Sequence, residues 1–342
     1  MVFDAKLGKL ACPYCAHTLE IESTGTVDER DYYEFLQKGM QNLQPMARDA
    51  MQVGCSSCGA IVNFTPPETA TVCDFCGAKI VAQPKSADPL VAPEGVLPFS
   101  VTDKQANANY KTWLASLWFA PSKLKHLAQA DKMSSVYIPY WTYDAHAYSE
   151  YTGARGEHYY ETQYYTENGE SKSRQVQKTS WYNVEGVVVR DFDDVCVPAT
   201  RSLPEKYIEK LEPWDLQELK SYEPAYLSGH KAQTYQIALD QGFELFKTRA
   251  YNVIYQDVRQ DIGGDEQRVS DVNTQYSNIT FKHLLLPIYA GAYQFGGKTF
   301  QIVVNGRTGE VQGERPYSWL KIGLLVLSII IAILILVAIF KK

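Results

Sequence analysis

Four cysteines carry the plainest chemistry in this chain. The stretch GCSSCGAIVNFTPPETATVCDFCGAKI, from Gly54 to Ile80, sets Cys55 and Cys58 two residues apart. After 14 intervening residues, Cys73 and Cys76 repeat the gap. Two residues between ligands let a tight turn aim both sulfurs at one ion. Gly59 and Gly77 follow the pairs and supply the permissive backbone such turns need. Four thiolates suit tetrahedral Zn²⁺ and leave no open position for water, so the zinc site expected here is structural. AIVNF and AKIV read as short strands, with PPETAT closing the hairpin between them. About 30 residues cannot bury a sufficient core, so the metal should supply much of the folding free energy. A redox dithiol is the rival reading, and two matched pairs argue against it.

Cys12 and Cys15, in CPYCAH, look like half of a second ribbon. Ala16 stands where a glycine would help the turn, no further cysteine pair follows before Cys55, and His17 still leaves at least one ligand missing. We read a degenerate half ribbon, with ligation from another chain as the alternative. Cys196, in DDVCVP, reads as a small strand hydrophobe.

Other patterns are weaker. AYQFGGKT, Ala292 to Thr299, matches a relaxed phosphate loop, but such a loop must open a helix and TFQIVVNG reads as a strand; a hairpin turn is expected. GDEQ at 264–267 lacks the apolar strand that would carry metal-binding acids. The six histidines are scattered; His146 and His158 with nearby acids are expected to be ordinary surface or sheet residues, and no catalytic constellation is evident. The chain is therefore not expected to be an enzyme. Many of its 24 tyrosines cluster at 137–165. They read either as a binding face or as a half-exposed sheet packed by its own rings.

The elements that must position the cysteines follow from patterning. Residues 1–50 hold the half ribbon and a short helix around Tyr32–Lys38. The zinc ribbon occupies 51–83. Residues 84–98, with four prolines, read as a linker, and 99–316 form a larger α+β region. Within that region we expect a helix over Thr102–Phe119 capped by Thr102 or Asp103, and a second after Pro121. A long strand is expected from Ser134, with β character continuing through WYNVEGVVVRDF. A helix is expected over Gln233–Asp261, then a hairpin turning at Gly296-Gly297. Pro139 and Pro287 sit in similar contexts, which suggests a duplicated helix-plus-sheet unit; shared strand chemistry is the alternative. The fold class expected is α+β: a small β ribbon, a tyrosine-rich antiparallel sheet with long helices, and a single C-terminal transmembrane helix.

That last helix, in the segment 317–342, rests on Ile322–Phe340, 19 residues without a charge. It spans roughly 28 Å, near a bilayer's hydrocarbon thickness. Tyr317 and Trp319 suit the interface, and Lys321 is expected to snorkel. No apolar stretch suggests a signal peptide at the N-terminus. Six of seven cysteines lie in pairs that persist as thiolates in a reducing compartment, so the bulk of the chain is expected on the cytoplasmic side of the inner membrane. The net charge of −6 gives no general attraction to nucleic acid.

Several stretches together resemble a known bacterial group. They are CSSCGAIVNF and TATVCDFCGAKIV, EGVLPFSVTDKQA, WFAPSKLKHLA, VYIPYWTYDA, and LLLPIYAGAYQFGGKTFQIVVNGRTGEVQGERPYSWLKI. The group comprises membrane-anchored proteins with a zinc ribbon like that of eukaryotic transcription factor IIB. Its members often carry the name of a replication-restart helicase, through the ribbon alone. Many have two full ribbons, and this chain departs by lacking half of the first. The resemblance implies a partner of phage-shock-protein-A-type envelope-stress proteins, helping to bring such a protein to the membrane. The function expected is thus a tail-anchored scaffold that binds protein partners. Nucleic-acid binding is the first rival, and 54–83 hold one lysine (Lys79), no arginine, and the acids Glu68 and Asp74. The second rival, a membrane-associated enzyme, would need a deep polar pocket holding His146, His158 or nearby acids.

Overall fold

The structure is a computed structural model that describes residues 1–22, 25–38, 51–64, 70–81, 85–86, 91–124 and 133–340. Expectations for Pro66–Thr69 of the ribbon tip, most of the helix after Pro121, the middle of the 84–98 segment and Lys341-Lys342 lie outside the described residues.

Three short strands, β1 (Val2–Asp4), β2 (Lys9–Ala11) and β3 (Thr18–Leu19), form a small antiparallel sheet around Cys12 and Cys15. β4 (Arg30–Asp31) and α1 (Tyr32–Lys38) follow. The ribbon comprises β5 (Met51–Gly54), β6 (Ile61–Phe64), β7 (Ala70–Val72), β8 (Lys79–Val81) and β9 (Lys85–Ser86). The body contains β10 (Gly95–Val96), α2 (Asp103–Ser116), β11 (Ser134–Glu167), β12 (Glu170–Pro198), β13 (Lys220–Ser221), β14 (Lys231–Ala232), α3 (Leu239–Ile262), β15 (Glu266–Phe295), β16 (Lys298–Asn305) and β17 (Val311–Gly313). α4 (Trp319–Phe340) closes the described chain.

Three strands dominate. β11 has 34 residues, β12 has 29 and β15 has 30. At the rise of an extended chain, β11 is roughly 110 Å long. The strands lie in the order β12-β11-β15, all antiparallel. The run Val136–Tyr143 is buried on both faces, which is why it reads as continuous apolar and aromatic sequence rather than as an alternation. Tyr137, Leu285 and Tyr289 point toward α2, and Trp141, Tyr143 and Phe281 toward α3. On the other face, Val136, Ile138, Tyr140, Leu284, Leu286 and Ile288 meet the ribbon and the segment around Ile208–Trp214.

The body is built twice. Ile138 sits opposite Leu286, with Tyr137 opposite Pro287 and Pro139 opposite Leu285, so a local two-fold exchanges Pro139 and Pro287. The neighbours obey the same exchange. β14 runs parallel to Val136-Tyr137, and β10 runs parallel to Leu284-Leu285. Ala199 donates its amide to Pro139 O at 2.9 Å, and Gly306 to Pro287 O at 2.9 Å. The Ala199 carbonyl then accepts from Gln236 and Ile237, and the Gly306 carbonyl from Ser100 and Val101. Trp141 Nε1 caps Ile237 O at 2.9 Å while Tyr289 Oη caps Val101 O at 2.6 Å. Each unit is a short strand, a helix and a hairpin: β10-α2-β11-β12 and β14-α3-β15-β16. The units are interlocked. α2 packs its Ala106, Tyr110 and Leu114 with Tyr289, Tyr293 and Ile302 of the second hairpin, and α3 packs Phe243 and Phe246 on Tyr143 and Phe192 of the first.

Local signals explain most element ends. Thr102 caps α2 through a capping box with Gln105, worth about 1 kcal/mol. β11 turns into β12 at Asn168-Gly169, both at positive φ, and β15 into β16 at Gly296-Gly297. The GGKT stretch is therefore a hairpin, with Lys298 and Thr299 on a strand. Two expectations are corrected. The long helix begins at Leu239, not Gln233, because Gln233 N bonds to Tyr137 O and the buried Gln233 side chain joins Thr200 and Ser202. The segment 84–98 is not a free linker over its second half: Val91, Val96 and Leu97 are buried, and β10 pairs with β13 and β15.

Glu94 anchors that segment. Its carboxylate takes Arg30 at 2.6 Å and the His283 amide at 2.5 Å. Burial outweighs the Arg30 charge and pushes its pKa up from 4.5 to about 7. A raised carboxyl favours the folded state fully below pH 4.5, and the benefit is lost as pH rises to about 7. Relative to Glu94→Gln, the native chain should therefore lose roughly 2–3 kcal/mol of stability between pH 4.5 and pH 8. Denaturant unfolding of both full chains in detergent at the two pH values measures this, and parallel pH profiles would refute it.

Candidate metal centre and anchor

Each ribbon pair sits in the same small turn. Cys55 N donates to Ala60 O and Gly59 N to Cys55 O, both at 2.8 Å; Cys73 N donates to Ala78 O and Gly77 N to Cys73 O, also at 2.8 Å. The second bond in each needs a residue of positive φ, and Gly59 (74°) and Gly77 (71°) provide it. β6 and β8 then carry the chain away from each turn.

The two turns face each other and interleave their sulfurs. Cys55 Sγ lies 3.6 Å from Cys76 Sγ, and Cys58 Sγ lies 3.6 Å from Cys73 Sγ. All four lie within 4.8 Å of one another. A tetrahedron of sulfurs about 2.3 Å from zinc has edges of about 3.8 Å, so the cluster fits that ion. Cys55 and Cys73 are buried and the other two half-buried. Backbone amides prepare the sulfurs for negative charge: those of Phe75 and Cys76 point at Cys73, that of Ala60 at Cys58 and that of Ala78 at Cys76. Cys58 and Cys73 share a proton across their contact, which lowers one thiol of the pair, Cys73, and raises the other, Cys58. Burial pushes Cys76 up. A cation must displace such protons, so metal uptake weakens as pH falls.

The ribbon is seated on the body. Phe75 is fully buried in the cluster with Leu97, Ile138 and Leu286. Gln301 Nε2 donates to Phe75 O at 2.9 Å, and Gln236 Nε2 to Gly59 O at 2.6 Å. Asp74 is paired with Lys231 at 2.8 Å. The contacts with Leu286, Gln301, Gln236 and Lys231 were not evident from local sequence, since those partners lie more than a hundred residues away.

Cys12 and Cys15 keep the turn but lack the second half. Cys12 N donates to His17 O at 2.9 Å and Ala16 N to Cys12 O at 3.0 Å. Ala16 adopts φ 56°, as the glycines do in the ribbon. The amides of Cys15 and Tyr14 pull the Cys12 thiol below its ordinary value. Among the described residues, only Cys55, Cys58, Cys73 and Cys76 form a group of three or more possible ligands. Cys196 is buried in the strand core, as expected.

The two histidines are not brought together. His146 Nδ1 meets Asp191 at 2.6 Å, and His158 Nε2 meets Glu266 at 2.8 Å, both on the open part of the sheet. A cavity of about 450 Å³ lies elsewhere, lined by Val197, Leu203, Ile237, Leu245 and Arg201 among others, and holds neither histidine. The tyrosine cluster divides. Tyr137, Tyr140, Tyr143 and Tyr151 are core, whereas Tyr159, Tyr160, Tyr164 and Tyr165 are exposed.

α4 is long and apolar enough to cross a membrane, and none of its apolar stretch is buried against the body. Its first turn is tied down. Ser318 N donates to Phe119 O at 2.7 Å, and Lys321 Nζ reaches Ala120 O at 2.7 Å and Trp118 O at 3.1 Å. Lys321 thus caps the turn after α2 instead of extending along the anchor. Trp118, Tyr317 and Trp319 are exposed beside it, an aromatic set suited to a headgroup layer.

Replacing Cys73 with Ser should remove the metal, so that elemental analysis of the purified full chain falls from about one zinc per chain toward none. Phe75→Ala should keep the zinc yet release the ribbon, lowering stability by about 3–5 kcal/mol in denaturant unfolding of the full chain. A Phe75→Ala chain that loses zinc would show that seating and ligation are inseparable.

No protein-family pattern matches the chain, and no solved structure matches it. It is similar to "Uncharacterized protein YdjG" of Bacillus subtilis (strain 168), 25% identical over 244 residues, which cover 71% of this chain and 68% of the relative.

Proposed function

We propose that the chain is a membrane-anchored scaffold whose zinc ribbon is structural. Cys55, Cys58, Cys73 and Cys76 hold Zn²⁺. The body lies on the cytosolic face of the inner membrane and binds protein partners there, a phage-shock-protein-A-like protein among them. The observation that carries this reading is the cluster of four sulfurs, all within 4.8 Å of one another and seated against the sheet, a donor set that would fill the shell of a tetrahedral ion and leave no position for a substrate. Such a site stiffens a surface and performs no reaction.

The anchor supports the same reading. Lys321 and Ser318 join it to the turn after α2, so the body is held at the lipid surface in a set orientation. Exposed tyrosines on the far part of β11 supply contact area with little rotamer entropy to lose. Asp74, the acid of the second turn, is already paired with Lys231, and the ribbon sequence brings no arginine for phosphates.

Crosslinking the full chain in native bacterial membranes and identifying what is captured tests the proposal. Membrane fractions should hold the chain, and a coat-forming stress protein should be captured with it. Capture of replication proteins and DNA alone, or an intact chain that fractionates as soluble, would sink it.

A further inference from the structure

We infer that two copies of this chain join edge to edge along the outer reach of β11, residues 157–167, in an antiparallel pair with a two-fold axis at Thr162. The inference goes beyond the scaffold reading and does not rest on it. β15 begins at Glu266, opposite Gly156, so past that point β11 is paired with β12 alone. α3 also stops there: Ile262 lies under Gly153, where an added Cβ would sit 2.9 Å from its Cδ1. The rungs from Glu157–Ser180 to Glu167–Glu170 therefore form a two-stranded arm with no layer over it among the described residues. A lone hairpin is marginal in water, and an open strand edge invites a further strand.

The parity of that edge is legible. Gly156 O accepts from Asp265 N at 2.9 Å, and His158 N donates to Asp265 Oδ2 at 2.7 Å. Even-numbered residues thus aim N–H and C=O away from β12. Tyr160, Thr162, Tyr164 and Thr166 continue the series, and among the described residues no strand lies beside them. An antiparallel partner must set even residues against even residues.

The sequence of the edge meets that demand. Glu157-His158-Tyr159-Tyr160-Glu161-Thr162-Gln163-Tyr164-Tyr165-Thr166-Glu167 reads nearly the same in both directions about Thr162. With the axis there, Tyr160 of one copy lies opposite Tyr164 of the other, Tyr159 opposite Tyr165, and Glu161 opposite Gln163. Aromatic cross-strand pairs each add roughly 0.2–1 kcal/mol. Moving the axis to Glu161 would split both tyrosine pairs, and moving it to Gln163 would set Tyr159 against Glu167; with the axis at Thr162, Glu157 faces Glu167 at each end, where Arg155 and Lys172 pair them within each copy.

Charge separates the two edges of the arm. On β12, residues 171–179 bring Lys172, Arg174 and Lys178, the kind of residue that guards an edge against pairing. On β11, residues 158–166 contain neither lysine nor arginine, and their acid Glu161 is paired with Lys178. One face of the arm is uncharged, with Tyr160, Thr162 and Tyr164 beside Gln177, Gln175 and Ser173. Two such faces would run together into one four-stranded sheet, in the order β12-β11-β11-β12.

The test uses the full chain in detergent. Light scattering should report a dimer. Thr162→Pro removes an amide that points to the open edge, leaves the β11–β12 bonds in place, and should give monomers; Tyr164→Lys, which needs no change of backbone, should do the same. Thr162→Cys should form a covalent dimer on mild oxidation, whereas Lys172→Cys and the native cysteines should not. A monomeric native chain would overturn the inference. So would a dimer that survives both Thr162→Pro and Tyr164→Lys, or stronger crosslinking at Gln163→Cys than at Thr162→Cys.

Discussion

The antiparallel ladder between β11 and β15, centred on Ile138 and Leu286, is the constraint on which the rest of the molecule depends. It joins the two units, and its two faces receive everything else. Helices α2 and α3 cover one face and the ribbon covers the other. Both prolines beside the centre lack an amide, yet each offers a carbonyl that draws in the chain after the opposite end of its own hairpin, Ala199 or Gly306. Those two residues then receive the segments that lead into α3 and α2. A buried backbone group left unpaired costs about 1–3 kcal/mol, so this relay of bonds sets the register of the helices as firmly as side-chain packing does.

The sulfur cluster and the apolar helix α4 share that ladder as one support. The ribbon is seated where the units meet, through Phe75, Gln301 and Gln236. The anchor leaves after β17 and is fastened to the turn that ends α2. The sulfur cluster and the start of α4 are thus joined through well-packed sheet, while the far ends of β11 and β12 pair with each other beyond the start of β15.

How much of this was readable beforehand depends on range. Cysteine spacing, the Thr102 cap, the glycine turn at 296–297 and the apolar final helix are local signals, and each is found where local chemistry put it. The echo around Pro139 and Pro287 was visible because strand chemistry repeats. The exchange of helices between the units was not, since it depends on contacts between segments far apart in the chain. Prolines in 84–98 signal a break in regular structure but cannot say whether the break is buried, and Glu94 with its partners Arg30 and His283 decides that it is. Helical spacing from Gln233 was real, yet Gln233 found a strand carbonyl and buried side-chain partners before a helix could claim it. The length of the arm was hidden for a related reason: β propensity says that a segment is extended, not where its neighbour stops.

The interlocking of the units has a consequence for biosynthesis. While the first hairpin and α2 emerge from the ribosome, the sheet that α2 will cover does not exist, and the helix that will cover β11 and β12 has yet to be made. Native contacts here span long stretches of chain, a topology that folds slowly. The nascent body must therefore wait, with aromatic surface bare, until β15 and β16 arrive. Those strands are translated only just before the apolar last helix, so the body can close only when nearly the whole described chain has been made.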